Sequence, residues 1–265
     1  MTVKKRISRI VGLTKDVVKT AETASNDRKR ALPAAADEIR RLSTRDFGPA
    51  LRECLSREEV CQIASEGKRK AWPNLNESPV RLGSNQEFAE RAYSLGADFR
   101  IAEMPWPSGL SVFGFYLGKD SGLEKRPLIC LNGAHHPAAR ATAFLHEVGH
   151  HVTAEMFSTR NAMVQLSRQT GYEAHLCDAR ELAADVLVSL GIYPRDLAME
   201  LFDETPARKG PEAADSAAPS KPVLGLARRY GLDLENLPKQ KKLQYQAGLI
   251  YYTKLRKALH QEYGL

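Results

Sequence analysis

Pro137-Ala-Ala-Arg-Ala-Thr-Ala-Phe-Leu-His-Glu-Val-Gly-His-His-Val152 is the stretch on which the reading of this 265-residue chain turns. Proline loses nothing in the first turn of a helix, where its missing N–H has no partner, so Pro137 marks a helix start. Within the helix that follows, His146-Glu147-Val148-Gly149-His150 is an H-E-x-x-H pattern. Residues four apart on a helix lie one above the other, so the imidazoles of His146 and His150 can reach one tetrahedral cation. Glu147 borders that cation without joining it, close enough to take a proton from water activated there.

Upstream, Arg126-Pro-Leu-Ile-Cys-Leu-Asn132 is a short apolar run and Leu110-Ser-Val-Phe-Gly-Phe-Tyr-Leu117 is rich in aromatic and branched residues. The turn-forming cluster at 118–122 separates them, which predicts two adjacent strands. An exposed edge near Val112–Leu117 would suit an extended peptide added as a further strand.

Downstream, a second helix is expected from about Tyr172 to Leu190, closed by Gly191 and Pro194. A catalytic zinc usually keeps three protein ligands and one open position, so a third ligand is needed. Glu173, His175, Cys177, Asp178, Glu181 and Asp185 all lie on this segment. Glu181-Leu-Ala-Ala-Asp185 is the best pairing, because one carboxylate can bind the metal while the other, a turn later, accepts the far N–H of a ligand histidine. His175, Tyr172, Tyr193 and His151 are candidates to donate to a developing oxyanion, and the sequence does not choose among them. His151 stands about 100° round the helix from His150, which argues against it.

These features resemble the ImmA/IrrE family of metallo-endopeptidases, bacterial and phage proteins that cleave transcriptional repressors. Members carry a strand, then H-E-x-G-H on a helix, then a helix of the form E-x-x-A-[ND]-x-F-A-A-x-L-L-M-P. The likeness covers about residues 110–200. It rests on Leu128-Ile-Cys-Leu-Asn132, on His146-Glu-Val-Gly-His150, and on Glu181, Ala184, Asp185, Leu187 and Pro194. Gly191 and Tyr193 stand where the family has Leu and Met. The resemblance implies zinc on His146, His150 and Glu181, Glu147 as general base, and Asp185 behind the ligands. It also implies an α+β fold with a small zincin-like core: a short sheet, an active-site helix and a ligand helix.

Charge divides the chain further. Residues 1–70 hold 17 Lys/Arg against 10 Asp/Glu, residues 71–220 hold 13 against 19, and residues 221–265 hold 9 against 3. The expected organisation is a basic helical region at 1–75, the metallopeptidase core at 76–204, a linker at 205–222 and a basic helical region at 223–265. The linker contains no large apolar residue and cannot bury enough surface to order itself. Val3, Ile7, Ile10, Thr14, Val17 and Ala21 follow a heptad seam, which Asn26–Pro33 is expected to break. Further helices are expected from Pro49 to about Lys70, ending before Trp72-Pro73, and over Val223–Tyr230 and Lys239–Gln261. Leu226-Ala-Arg-Arg-Tyr-Gly-Leu232 is similar to the opening of a helix-turn-helix, a segment family members often carry after the catalytic helices. The basic ends make nucleic acid a candidate partner beside a protein substrate.

Four cysteines, Cys54, Cys61, Cys130 and Cys177, are too scattered for a disulfide framework, so buried free thiols in a reducing cytoplasm are expected. No stretch is apolar enough for a membrane span. Two further function classes fit the sequence. One is a DNA-associated regulator with a structural or vestigial metal site. The other is a zinc peptidase acting on DNA-bound proteins with His175 as third ligand.

Overall fold

The computed structural model describes residues 28–70, 99–104, 113–118, 126–133, 137–154, 156, 171–192 and 235–265, with Gly225, Arg228 and Asp233 singly. The seam at 3–21, the boundary at Trp72-Pro73, the linker at 205–222, most of Val223–Tyr230, and Tyr193 lie outside these residues. Within them the fold is mixed α+β, mostly helical around a three-stranded sheet.

The first helix, α1, spans Arg28–Thr44 and passes through Pro33, where a break was expected. Proline in the second turn removes one backbone hydrogen bond, but α1 lies along the last helix of the chain and that packing outweighs the loss. The single helix expected from Pro49 to Lys70 is two: α2, Gly48–Cys54, and α3, Arg57–Lys70. Ser56 divides them. Its hydroxyl accepts the Glu59 N–H at 3.2 Å while the Glu59 carboxylate accepts the Ser56 N–H at 2.7 Å, a reciprocal cap that starts a new helix. Leu55 turns extended between the two and is buried.

Strand β1 spans Arg100–Met104, β2 spans Gly114–Leu117 and β3 spans Leu128–Asn132. β2 and β3 pair antiparallel, as the turn cluster between them predicts, and β1, not foreseen, pairs parallel on the other side of β3. The order β1-β3-β2 leaves β3 central, and all five of its residues are buried. Side chains alternate between the faces. Tyr116, Ile129 and Leu131 join the main core, while Phe115, Leu117, Leu128 and Cys130 form a second small cluster with Ala102.

Helix α4 spans Pro137–Thr153, as expected. The expected helix from Tyr172 to Leu190 is two elements: α5, Tyr172–His175, and α6, Ala179–Ile192. Asp178 causes the division, since its Oδ1 accepts the Arg180 N–H at 2.9 Å and its carbonyl takes the first helical bond, from Leu182. Every residue from Glu181 to Gly191 is buried, so α6 runs through the middle of the molecule. Leu182, Val186, Leu187 and Val188 are fully buried, each contributing about 1.5–3 kcal/mol.

The last helix, α7, spans Lys239–Tyr263 and ends at Gly264, whose left-handed backbone (φ 77°) closes it. Although it belongs to the basic region drawn from sequence at 223–265, α7 shares the main core with α4 and α6 through Tyr251, Leu255 and Leu259. A boundary at 222 therefore does not separate it from the core. Lys254 on α7 donates to the carbonyls of Leu42, Ser43 and Arg45, tying off the C-terminus of α1.

The cysteines are all free. Cys130 is buried as expected, whereas Cys54 is half-buried and Cys61 and Cys177 are exposed. The break at Leu55-Ser56 puts Cys54 and Cys61 on different helices, so their seven-residue spacing defines no common face. Among the described residues no helix is long and apolar enough to cross a membrane.

Candidate metal centre

The site is built where α4 packs along α6, with α5 and α7 closing around it. On α4 the core-facing residues Phe144, Leu145 and Val148 are fully buried and fix the rotation of the helix. That rotation turns His146 and His150, one helical turn apart, toward α6. From α6, Glu181 reaches back to both.

Three ligand-type atoms meet there. His146 Nε2 and His150 Nε2 are 3.0 Å apart, Glu181 Oε2 is 3.2 Å from the first and 3.6 Å from the second. Nitrogen and oxygen ligands bonded at about 2.0–2.1 Å to a tetrahedral metal lie about 3.3 Å from one another. The triangle therefore already has the dimensions a single small cation requires, and the three side chains form a group that can hold one. A bound cation would also explain two imidazole nitrogens facing each other at this distance.

Behind these three side chains, Asp185 is fully buried. Its Oδ1 faces His146 Nδ1 at 2.8 Å and accepts the Tyr252 hydroxyl at 2.9 Å. Its Oδ2 faces His175 Nδ1 at 2.7 Å and accepts the Tyr251 hydroxyl at 2.8 Å. A carboxylate that accepts at His146 Nδ1 holds the proton on that nitrogen and leaves the Nε2 lone pair directed at Glu181 and His150.

The charges are strongly coupled. Burial opposes ionisation of Asp185, but the His175 and His146 charges and hydrogen bonds outweigh it and hold its carboxyl well below the usual range. Glu181 is likewise penalised by burial and held low by His146 and His150. In return, burial is outweighed at His146, whose pKa Asp185 raises well above the ordinary imidazole value. A cation inverts that last effect, because the imidazoles must then donate lone pairs and be neutral.

Glu147 is 3% exposed, and its Oε2 has no hydrogen-bond partner among the described residues. Burial is the chief cause of its raised pKa, opposed by His146 and His150. It lies beside the edge strand: a Cβ added at Gly114 would come within 3.4 Å of Glu147 Cγ. A buried carboxylate with one unsatisfied oxygen is costly unless something polar is meant to meet it.

The other candidates separate clearly. Asp178 is occupied as the α6 cap. Glu173 pairs with Arg41 at 2.5 Å, and Cys177 is exposed on the turn between α5 and α6. His175 stays outside the three-atom group, its Nε2 3.9 Å from Glu181 Oε2. Tyr172 stacks on Tyr251 and donates its backbone N–H to Glu38 on α1 at 2.6 Å. His151 meets the Tyr116 hydroxyl at 3.1 Å and the edge of Phe99, a packing role.

The sequence reading missed Tyr251 and Tyr252. Their signal was present in Leu249-Ile-Tyr-Tyr252, four consecutive apolar residues inside a helical stretch, which only a helix buried on most sides can accommodate. Compared with known proteins, the chain matches no family model, no curated protein and no solved structure.

Proposed function

We propose that this protein is a zinc-dependent endopeptidase with a zincin-like core, of the kind the ImmA/IrrE resemblance implies, acting in the cytoplasm on a protein substrate such as a transcriptional repressor. The observation that carries the reading is the pairing of the His146–His150–Glu181 triangle with a buried carboxylate, Glu147, whose Oε2 has no partner among the described residues. A purely structural metal site has no use for such a base.

When bound, zinc supplies Lewis acidity, polarising a carbonyl and acidifying water near neutral pH. His146, His150 and Glu181 hold it, and Asp185 keeps His146 in the tautomer that can bind. Glu147 takes the proton of the attacking water and passes it to the leaving amine; its raised pKa suits both halves of that transfer. β2, an edge strand among the described residues, runs past Glu147 at Gly114, but all four of its residues are buried, so the exposed edge expected near Val112–Leu117 is not seen over Gly114–Leu117.

The second reading is a DNA-associated regulator: of the basic tail Arg256 is buried, whereas Arg228, Lys239 and Lys241 are exposed. The test is Glu147→Gln with purified protein and repressors encoded near its gene. The amide keeps the shape without the base, so the variant retains metal and loses cleavage by about 10²-fold or more. Undiminished cleavage by this variant would rule out Glu147 as base.

A further inference from the structure

We infer that Tyr251 and Tyr252, on the C-terminal helix α7, are positioning residues of the metal site, acting through Asp185. The inference rests on the metal site of the proposed function and not on its proteolysis.

An ionised carboxylate offers about four lone-pair positions and no donor. On Asp185 all four face a donor group: two imidazole Nδ1 atoms and two phenol hydroxyls, at 2.7–2.9 Å, evenly divided between Oδ1 and Oδ2. The division matters for geometry. Each oxygen receives one histidine and one tyrosine, so the plane of the carboxylate is fixed from both sides. The two tyrosines come from an element 66 and 67 residues away in sequence, and they are 0% and 3% exposed. A single charge enclosed this completely has no freedom to rotate away from His146, whose Nε2 must point at the metal.

The rings themselves pack, Tyr251 stacking on Tyr172 and meeting Tyr252 edge-on. Packing and hydroxyl roles are separable because phenylalanine keeps the ring and removes only the donor. A Tyr251→Phe/Tyr252→Phe chain retains that packing yet leaves one acceptor position empty on each Asp185 oxygen. The carboxylate then loses its fixed orientation and His146 loses its imposed tautomer.

Two measurements on the full chain decide the matter. Zinc affinity, measured by competition with a chromophoric chelator, falls about 10- to 100-fold in the double variant, the usual effect of losing a partner behind a metal ligand. Nitrogen NMR of the metal-free chain, at a pH high enough to leave His146 neutral, shows it as the Nδ1–H form in the wild type and as a mixture in the variant. The second reading holds even if the wild type cleaves no protein, so failure of the peptidase proposal is distinguishable from failure of this one. Should the double variant not fold, Tyr252→Phe alone carries the test, since its hydroxyl shares Oδ1 with His146. A folded variant with wild-type zinc affinity and an unchanged His146 tautomer would overturn the inference.

Discussion

Gly149 and Ala184 touch where α4 crosses α6, so closely that a Cβ on Gly149 would lie 2.5 Å from Ala184 Cα and 2.8 Å from its carbonyl oxygen. Real side chains do not approach backbone so closely. The glycine within the H-E-x-x-H pattern therefore sets the spacing between the two helices, and with it the distance from the histidines on one to Glu181 on the other.

Gly149→Ala must force the helices apart. The expected cost is about 1–3 kcal/mol of stability from overpacking, read by denaturant unfolding, with weakened metal binding because the ligand triangle opens. A folded Gly149→Ala chain with wild-type stability and metal affinity would show that the crossing is looser than this contact implies.

Asp178 and Glu181 are three residues apart yet do different work. Asp178→Ala removes the cap of α6 and should cost about 1 kcal/mol while leaving metal affinity within a few-fold of wild type. Glu181→Ala removes the proposed third ligand and should abolish stoichiometric binding. Isothermal titration of both variants separates these effects, and the reverse ranking would move the third ligand to Asp178.

Lys254→Met keeps the apolar stem near Phe47 and removes the ammonium that serves three carbonyls at the end of α1. Stability should fall by about 1 kcal/mol, because two part-buried carbonyls lose a charged donor. A change in midpoint below a few tenths of a kcal/mol would mean that water satisfies those carbonyls instead.

Zinc should stabilise the chain by mass action. At a free concentration about 100 times the dissociation constant, the gain is about 2.7 kcal/mol, and a chelator should reverse it. Thermal melts with and without metal check this, with His150→Ala as the control that should no longer respond.

The centre of the site was legible because its chemistry is local. Two histidines four apart on a helix opened by Pro137 say what they can hold, and β2 and β3 declared themselves by composition and by the turn between them. Helix ends were less legible. Ser56-Arg-Glu-Glu59 and Asp178-Ala-Arg-Glu181 each spell a cap with an acidic residue three positions on, a signal overridden by the apolar periodicity across it. Reading the second of these would have removed Asp178 from the six candidate ligands and left the choice of Glu181 with one rival fewer. The place of α7 was hidden for a different reason: net positive charge set 223–265 apart as a basic region, whereas burial is decided by where Tyr251, Leu255 and Leu259 pack. Contacts between residues more than 60 positions apart, such as Tyr251 with Asp185, leave no spacing to read.

The central claim is that His146, His150 and Glu181 hold one metal ion, and X-ray absorption spectroscopy of the zinc-loaded chain tests it most directly. The account predicts about one zinc per chain, with two imidazole nitrogens and carboxylate oxygen at about 2.0–2.2 Å and no sulfur. A chain that retains no zinc after dialysis against a stoichiometric amount, or a spectrum with a sulfur ligand or a single imidazole, would contradict it.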